Sequence, residues 1–221
     1  MTPSMVSLTN VEGNRVALLE AYNLSCERGD RLLFEHLGFS LEPGAMVQIE
    51  GHNGAGKTSL LRILCGLAQP SAGVVRWRGR DIHCQRQEFL SEVLYLGHHH
   101  GVKGLFTPEE NLKISIGLGV AHPTLSIREA LIQVGLDKFH DYPCQSLSAG
   151  QRRRVALARL LTTQTNLWIL DEPFTSLDRS GVRMVEVMLR AHLATGGAAV
   201  ITTHHPVKMD DYPVQKVNLD Y

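Results

Sequence analysis

Apolar residues along this chain fall into two rhythms. The short runs Met46–Ile49, Val93–Leu96, Leu167–Leu170 and Ala198–Thr202 read as buried strands. Between them, Ser59–Cys65, Ser148–Leu161 and Ser180–Thr195 place apolar side chains three or four positions apart, the spacing of a helix with one packed face. In the second of these, Val155, Leu157, Ala158 and Leu161 mark that face. Strand and helix taking turns predicts an α/β fold with a parallel core sheet and helices on both of its faces.

Two regions depart from that alternation. Near the start, Ala17–Leu24, Leu32–Phe34 and Gly38–Leu41 are short strand-like runs set off by turns at Gly29 and Glu42–Gly44, which predicts a small antiparallel β subdomain ahead of the glycine-rich stretch, and a separate strand, Val74–Trp77, follows later and turns at Gly79. From Pro108 to Leu136 the rhythm is helical, with one start at Thr107, Pro108 and Glu110 and another at Ser126 with Glu129. This predicts a short helical insertion, a subdomain over about 98–147. Its apolar residues Leu105, Phe106 and Leu112 either pack onto the main sheet or line a groove for a partner. Residues 1–16 show little periodicity and read as a loose extension, leaving 17–221 as a single domain.

Composition narrows the function more than the fold. The chain has 221 residues, 43% of them hydrophobic, with lysine plus arginine and aspartate plus glutamate at 22 each. Zero net charge argues against a protein that holds nucleic acid by a basic field. No apolar run approaches the roughly 18 residues of a membrane-spanning helix, and Met1–Met5 lacks the layout of a signal peptide, so a cytosolic chain is expected. Cys26, Cys65, Cys84 and Cys144 are too scattered for a disulfide framework or a zinc site.

The chemistry centres on Gly51-His52-Asn53-Gly54-Ala55-Gly56-Lys57-Thr58, with Ser59 following. It has the G-x-x-x-x-G-K-[ST] spacing, between a strand-like and a helix-like run. Glycines let the backbone aim several N–H groups at phosphate oxygens, at the positive end of the next helix. Lys57 then reaches the β- and γ-phosphates, and Thr58 offers its hydroxyl to Mg²⁺. Asp171 and Glu172 end the apolar run Leu167–Leu170, where ligands of parallel sheets bind. Asp171 suits the magnesium, and Glu172 the water attacking the γ-phosphate, so hydrolysis, not only binding, is implied. Leu147-Ser148-Ala149-Gly150-Gln151 offers a second phosphate site, a hydroxyl and a glycine at a new helix start.

L-S-x-G-Q in company with these motifs resembles the ATP-binding cassette (ABC) family, and the resemblance covers about the whole chain. It implies a P-loop ATPase of the ABC type in which the signature of one subunit closes on the nucleotide held by another, so that a homodimer is the working unit. It also implies that Ser176-Leu177-Asp178 is the D-loop at the dimer contact and that His204 is the switch histidine facing the γ-phosphate. Where the family offers glutamine to the magnesium and the attacking water, this chain has His99. Where it stacks an aromatic residue on adenine, this chain offers Arg28, whose flat guanidinium can stack.

The closer match is to the ATP-binding subunits of the cytochrome c maturation system. Leu24–Arg28, Gln48–Gly51, Gly97-His98, Gly101–Lys103, Leu147–Arg154, Trp168–Phe174 and Thr202–His204 carry it, and His205 departs from it, replacing a glutamine. That resemblance implies a peripheral subunit on the cytoplasmic face of a bacterial inner membrane. Its partners would be integral membrane subunits resembling CcmB and CcmC, with CcmD, and haem would pass to the chaperone CcmE. The alternatives are the ATPase of an ABC exporter of another cargo, a soluble ABC ATPase outside transport, and a cassette that senses ATP without turnover.

Overall fold

The structure, a computed structural model, describes residues 17–99, 101–118, 125–207, 209 and 211–220. The expected extension over residues 1–16 lies outside them. Two sheets organise the rest. Strands β1 (Leu19–Arg28), β2 (Arg31–Leu41), β4 (Ala72–Trp77) and β5 (Arg80–Asp81) form an antiparallel sheet in the order β2-β1-β4-β5. Strands β3 (Met46–Glu50), β6 (Val93–Leu96), β7 (Leu167–Asp171), β8 (Ala198–Thr202) and β9 (Val214–Asn218) form a sheet in the order β6-β7-β8-β3-β9, and every neighbouring pair is parallel.

The parallel sheet explains the uninterrupted apolar runs. Successive side chains of a strand face opposite sides, and both sides are covered here. Leu167 and Ile169 join Val47, Ile49, Ala198 and Val200 against helix α1 (Lys57–Leu64) and the antiparallel sheet. Trp168 and Leu170 turn the other way, with Ala199 and Ile201, onto α6 (Arg179–Ala194) and α5 (Ala149–Thr162). Leu60, Leu61, Ile63 and Leu64 of α1 are buried, each contributing about 1.5–3 kcal/mol of transfer free energy.

A third cluster holds the helical insertion. Leu112 of α3 (Pro108–Leu118), Leu131 of α4 (Ile127–Gln133), Val134 and Leu136 pack on Val155 and Ala158 of α5. Both predicted starts are capped. Thr107 Oγ1 accepts from Glu110 N and Glu110 Oε2 from Thr107 N, and Ser126 and Glu129 close the same box. Leu112 is fully buried, so of the three apolar residues expected on the insertion's surface only Leu105 and Phe106 are exposed.

Two differences from the sequence reading have simple causes. The runs Leu32–Phe34 and Gly38–Leu41 are one strand, because irregularities in the β1–β2 ladder and a left-handed His36 (φ 51°) absorb the break between them. Helix α2 (Arg86–Glu92) buries only Phe89, too little to leave a periodic trace.

Candidate active site

Strand β3 delivers the chain to the glycine-rich loop, and α1 begins at its end. Gly56 caps α1 at φ 101°, and a Cβ there would lie 3.1 Å from Leu33. Glycine is therefore required by conformation and by space. Helix α1 has no side-chain cap, which leaves its first N–H groups for a ligand. Lys57 Nζ donates to the carbonyls of Gly51 at 2.5 Å and His52 at 3.2 Å, so its ammonium folds over the loop.

Register then brings the acidic pair to the loop. Asp171 closes β7 opposite Thr202 of β8. Its Oδ2 accepts from Thr58 Oγ1 at 2.9 Å and its Oδ1 from Thr202 Oγ1 at 2.7 Å, with 3% of the residue exposed. A carboxylate and a hydroxyl side by side at a phosphate loop are hard oxygen donors of the kind Mg²⁺ takes, so the residues fit that ion.

Glu172 is held differently. It adopts φ 50°, an uncommon left-handed conformation for a non-glycine residue. Its N–H donates to Thr202 O at 3.1 Å and Thr202 Oγ1 at 3.0 Å. From below, the buried Arg153 guanidinium donates to the carbonyls of Pro173, Asp171 and Glu172 at 3.2, 3.1 and 2.6 Å. Burial lowers the Arg153 pKa to about 10, with Asp171 and Glu172 pulling it back up. The backbone is thereby fixed, while Glu172 Oε1 is buried without a hydrogen-bond partner among the described residues. His204 Nε2 lies 3.5 Å from that oxygen, on an exposed side chain.

These groups share a cleft of about 550 Å³, lined by Asn53, Gly54, Gly56, Lys57, Thr58, Ser59, Asp171, Glu172 and His204, with Arg28 and Leu33 on the antiparallel side. His98 lines it too. His99, the residue expected there, is exposed beside it with ring centroids 5.7 Å apart, and is not a lining residue.

The signature residues do not line the cleft. Ser148 caps α5, its Oγ accepting from Gln151 N at 3.2 Å and its N–H donating to Gln151 Oε1 at 2.8 Å. Leu147 is buried, whereas Ser148 and Ala149 are exposed. A Cβ on Gly150 would come 2.8 Å from Ser176 O, so signature and D-loop touch within one chain. Asp178 caps α6 at Gly181 N and accepts from Arg154, and these bonds hold its carboxyl below the usual range.

Sequence reasoning missed Arg153, Thr202 and His98. Arg153 sits in a run of three arginines at the start of α5, and only the packing of α5 against β7 shows that it is buried. Thr202 becomes functional through register, which a sequence does not print.

The ABC transporter family profile matches residues 34–175. A cytochrome c biogenesis ATP-binding export protein CcmA from Methylococcus capsulatus is 52% identical over 190 residues, covering 86% of this chain and 92% of the relative. The protein of the same name from Pseudomonas putida is 50% identical over 201 residues, covering 91% and 96%. A solved ATP-binding subunit of an ABC transporter superposes with a TM-score of 0.80 at 24% identity, over 91% of this chain and 85% of that one.

Proposed function

This chain belongs to the ABC transporter family, in the group formed by its CcmA relatives, and on that premise we propose that it is the ATP-hydrolysing subunit of a transporter serving cytochrome c biogenesis. The observation that carries the reading is the convergence of Lys57, Thr58, Asp171, Glu172 and His204 on one cleft, while Ser148–Gln151 lie outside it. The cleft offers one nucleotide the loop, the acidic pair and the histidine. A second copy supplies the signature, with Ser176–Asp178 at the contact.

In the reaction, the loop N–H groups and Lys57 hold the phosphates, and Arg28 stands where a base can stack. Thr58 and Asp171 would hold Mg²⁺, which would supply positive charge against the triphosphate. Glu172, whose Oε1 has no hydrogen-bond partner among the described residues and whose backbone is fixed by Thr202 and Arg153, accepts a proton from the water that attacks the γ-phosphorus as the bond to the β-phosphate oxygen breaks and ADP leaves. His204 meets the γ-phosphate. Loss of that phosphate removes charge-assisted bonds across the dimer and lets it open.

Among the described residues no helix is long and apolar enough to cross a membrane, and in this reading hydrolysis powers other subunits. A groove of about 290 Å³ between β6, α3 and α5 is lined by Leu90, Val93, Val102 and Ile114 with Lys103 and Arg159, and Leu105 is exposed on the neighbouring loop. Arg159 bonds Ser115 Oγ at 2.9 Å, and burial lowers its pKa. This groove is the proposed seat of a membrane subunit resembling CcmB, in a complex with subunits resembling CcmC and CcmD. In this reading the chain works at the cytoplasmic face of the inner membrane and powers haem delivery to CcmE.

The test is ATP turnover by membranes carrying this chain with its CcmB- and CcmC-like partners, against a Glu172→Gln variant, with haem-loaded CcmE followed in parallel. The reading expects turnover to vanish and haem to stay on the chaperone. If turnover vanishes but haem release is unaffected, the ATPase stands and the cargo is another.

A further inference from the structure

The phosphate loop is usually described from the side that meets nucleotide, but here its other side is also held. Strand β9 runs parallel to β3 with Glu50 opposite Asn218, and Leu219 N continues the ladder to Glu50 O at 3.0 Å. Two residues past that pair, the register sets Asp220 against His52, the second residue of the loop. Asp220 Oδ1 accepts the His52 backbone N–H at 2.8 Å and bonds the His52 ring Nδ1 at 2.6 Å. Asp220 N in turn donates to Asn218 Oδ1 at 3.0 Å, and Lys216 pairs with Glu50 at 2.8 Å one turn of the ladder back.

We propose that Asp220 is a positioning residue for nucleotide binding, a latch from β9 that fixes the first half of the phosphate loop through His52 before nucleotide arrives. The proposal rests on the loop being a nucleotide site. The loop bends at Gly51, Gly54 and Gly56, all at positive φ, so its free ensemble is broad and ordering it costs conformational entropy. Lys57 holds the carbonyls of Gly51 and His52 on one side, and Asp220 holds the His52 N–H on the other. With His52 N–H committed to Asp220, the later N–H groups are left for phosphate. The His52 bonds, with the Lys57 ammonium nearby, hold the Asp220 carboxyl below its usual range.

The test measures binding of a fluorescent ATP analogue to the full chain, together with the ATP concentration at half-maximal turnover. Asp220→Ala should weaken binding about three- to ten-fold, the range of a partly exposed charge-assisted pair, with saturated turnover changed less than twofold. Asp220→Asn keeps the acceptor oxygen and should recover most of the loss. His52→Ala in the Asp220→Ala background should add little, since the ring contact it would remove has already gone with Asp220. Equal binding by Asp220→Ala and the parent, tighter binding by Asp220→Ala, or additive losses in the double variant would overturn the latch. A parent chain that binds no nucleotide would instead sink the proposed function. Thermal melts of each variant separate a loosened loop from a loosened fold.

Discussion

Helices α1 and α5 both begin at glycine-containing motifs that can hold phosphate, yet their N-termini are built in opposite ways. Helix α1 carries no side-chain cap and opens into a cleft already furnished with Lys57, Asp171 and Glu172. Helix α5 is closed on itself by the Ser148–Gln151 capping box and opens onto the surface. The first is a site within one chain. We propose that the second is half of a site, its exposed Ser148 end completing the cleft of another copy.

The largest effect should come from the α1 cleft. Glu172→Gln should lower turnover about 10²–10⁴-fold, the range for losing a general base, while ATP binding persists; turnover within tenfold of the parent would remove Glu172 from the chemistry. Next in size, Gly150→Val on the α5 side should cut turnover about 10²-fold, because its Cβ meets Ser176 O. Nucleotide affinity of the single chain should stay within about twofold, since α5 does not line the cleft. Equal damage to binding would mean that the two N-termini belong to one site. Lys57→Ala should weaken ATP binding about ten- to a hundred-fold, the worth of a charge-assisted bond, measured by titration with the fluorescent analogue.

The smallest effect at neutral pH marks where losses belong to the fold instead. His192 stacks on Trp168 at 3.9 Å, and burial lowers its pKa to about 4. Its folded pKa lies below the unfolded 6.5, so the unfolded chain binds the extra proton between the two. Stability is therefore full above pH 6.5 and falls as pH drops toward 4, by about 3 kcal/mol for 2.5 units. Urea midpoints across that window should decline less steeply in His192→Phe than in the parent; identical slopes would show that His192 does not titrate on unfolding.

Much of this was legible because the relevant signals are local. The alternation of apolar runs and helical spacing gave the parallel sheet, and two capping boxes in the insertion, at Thr107 and Ser126, could be read as spacings alone. What was hidden depends on which strands lie side by side. Thr202 reaches Asp171 because β8 neighbours β7, and Asp220 reaches His52 because β9 neighbours β3, neither of which follows from chain order. Arg153 was hidden for another reason. A buried arginine is rare, and three in a row suggest a solvated face. The cleft facing of His98, in place of His99, turns on loop conformation that a three-histidine run does not encode.

We propose that the cleft of one chain is completed by α5 of a second. Sedimentation of the Glu172→Gln chain with and without MgATP, beside the same chain carrying Gly150→Val, tests it most directly. The account predicts that MgATP doubles the mass of the first and leaves the second monomeric with nucleotide bound. A Glu172→Gln chain that stays monomeric at saturating MgATP, or a Gly150→Val chain that doubles equally, would contradict it.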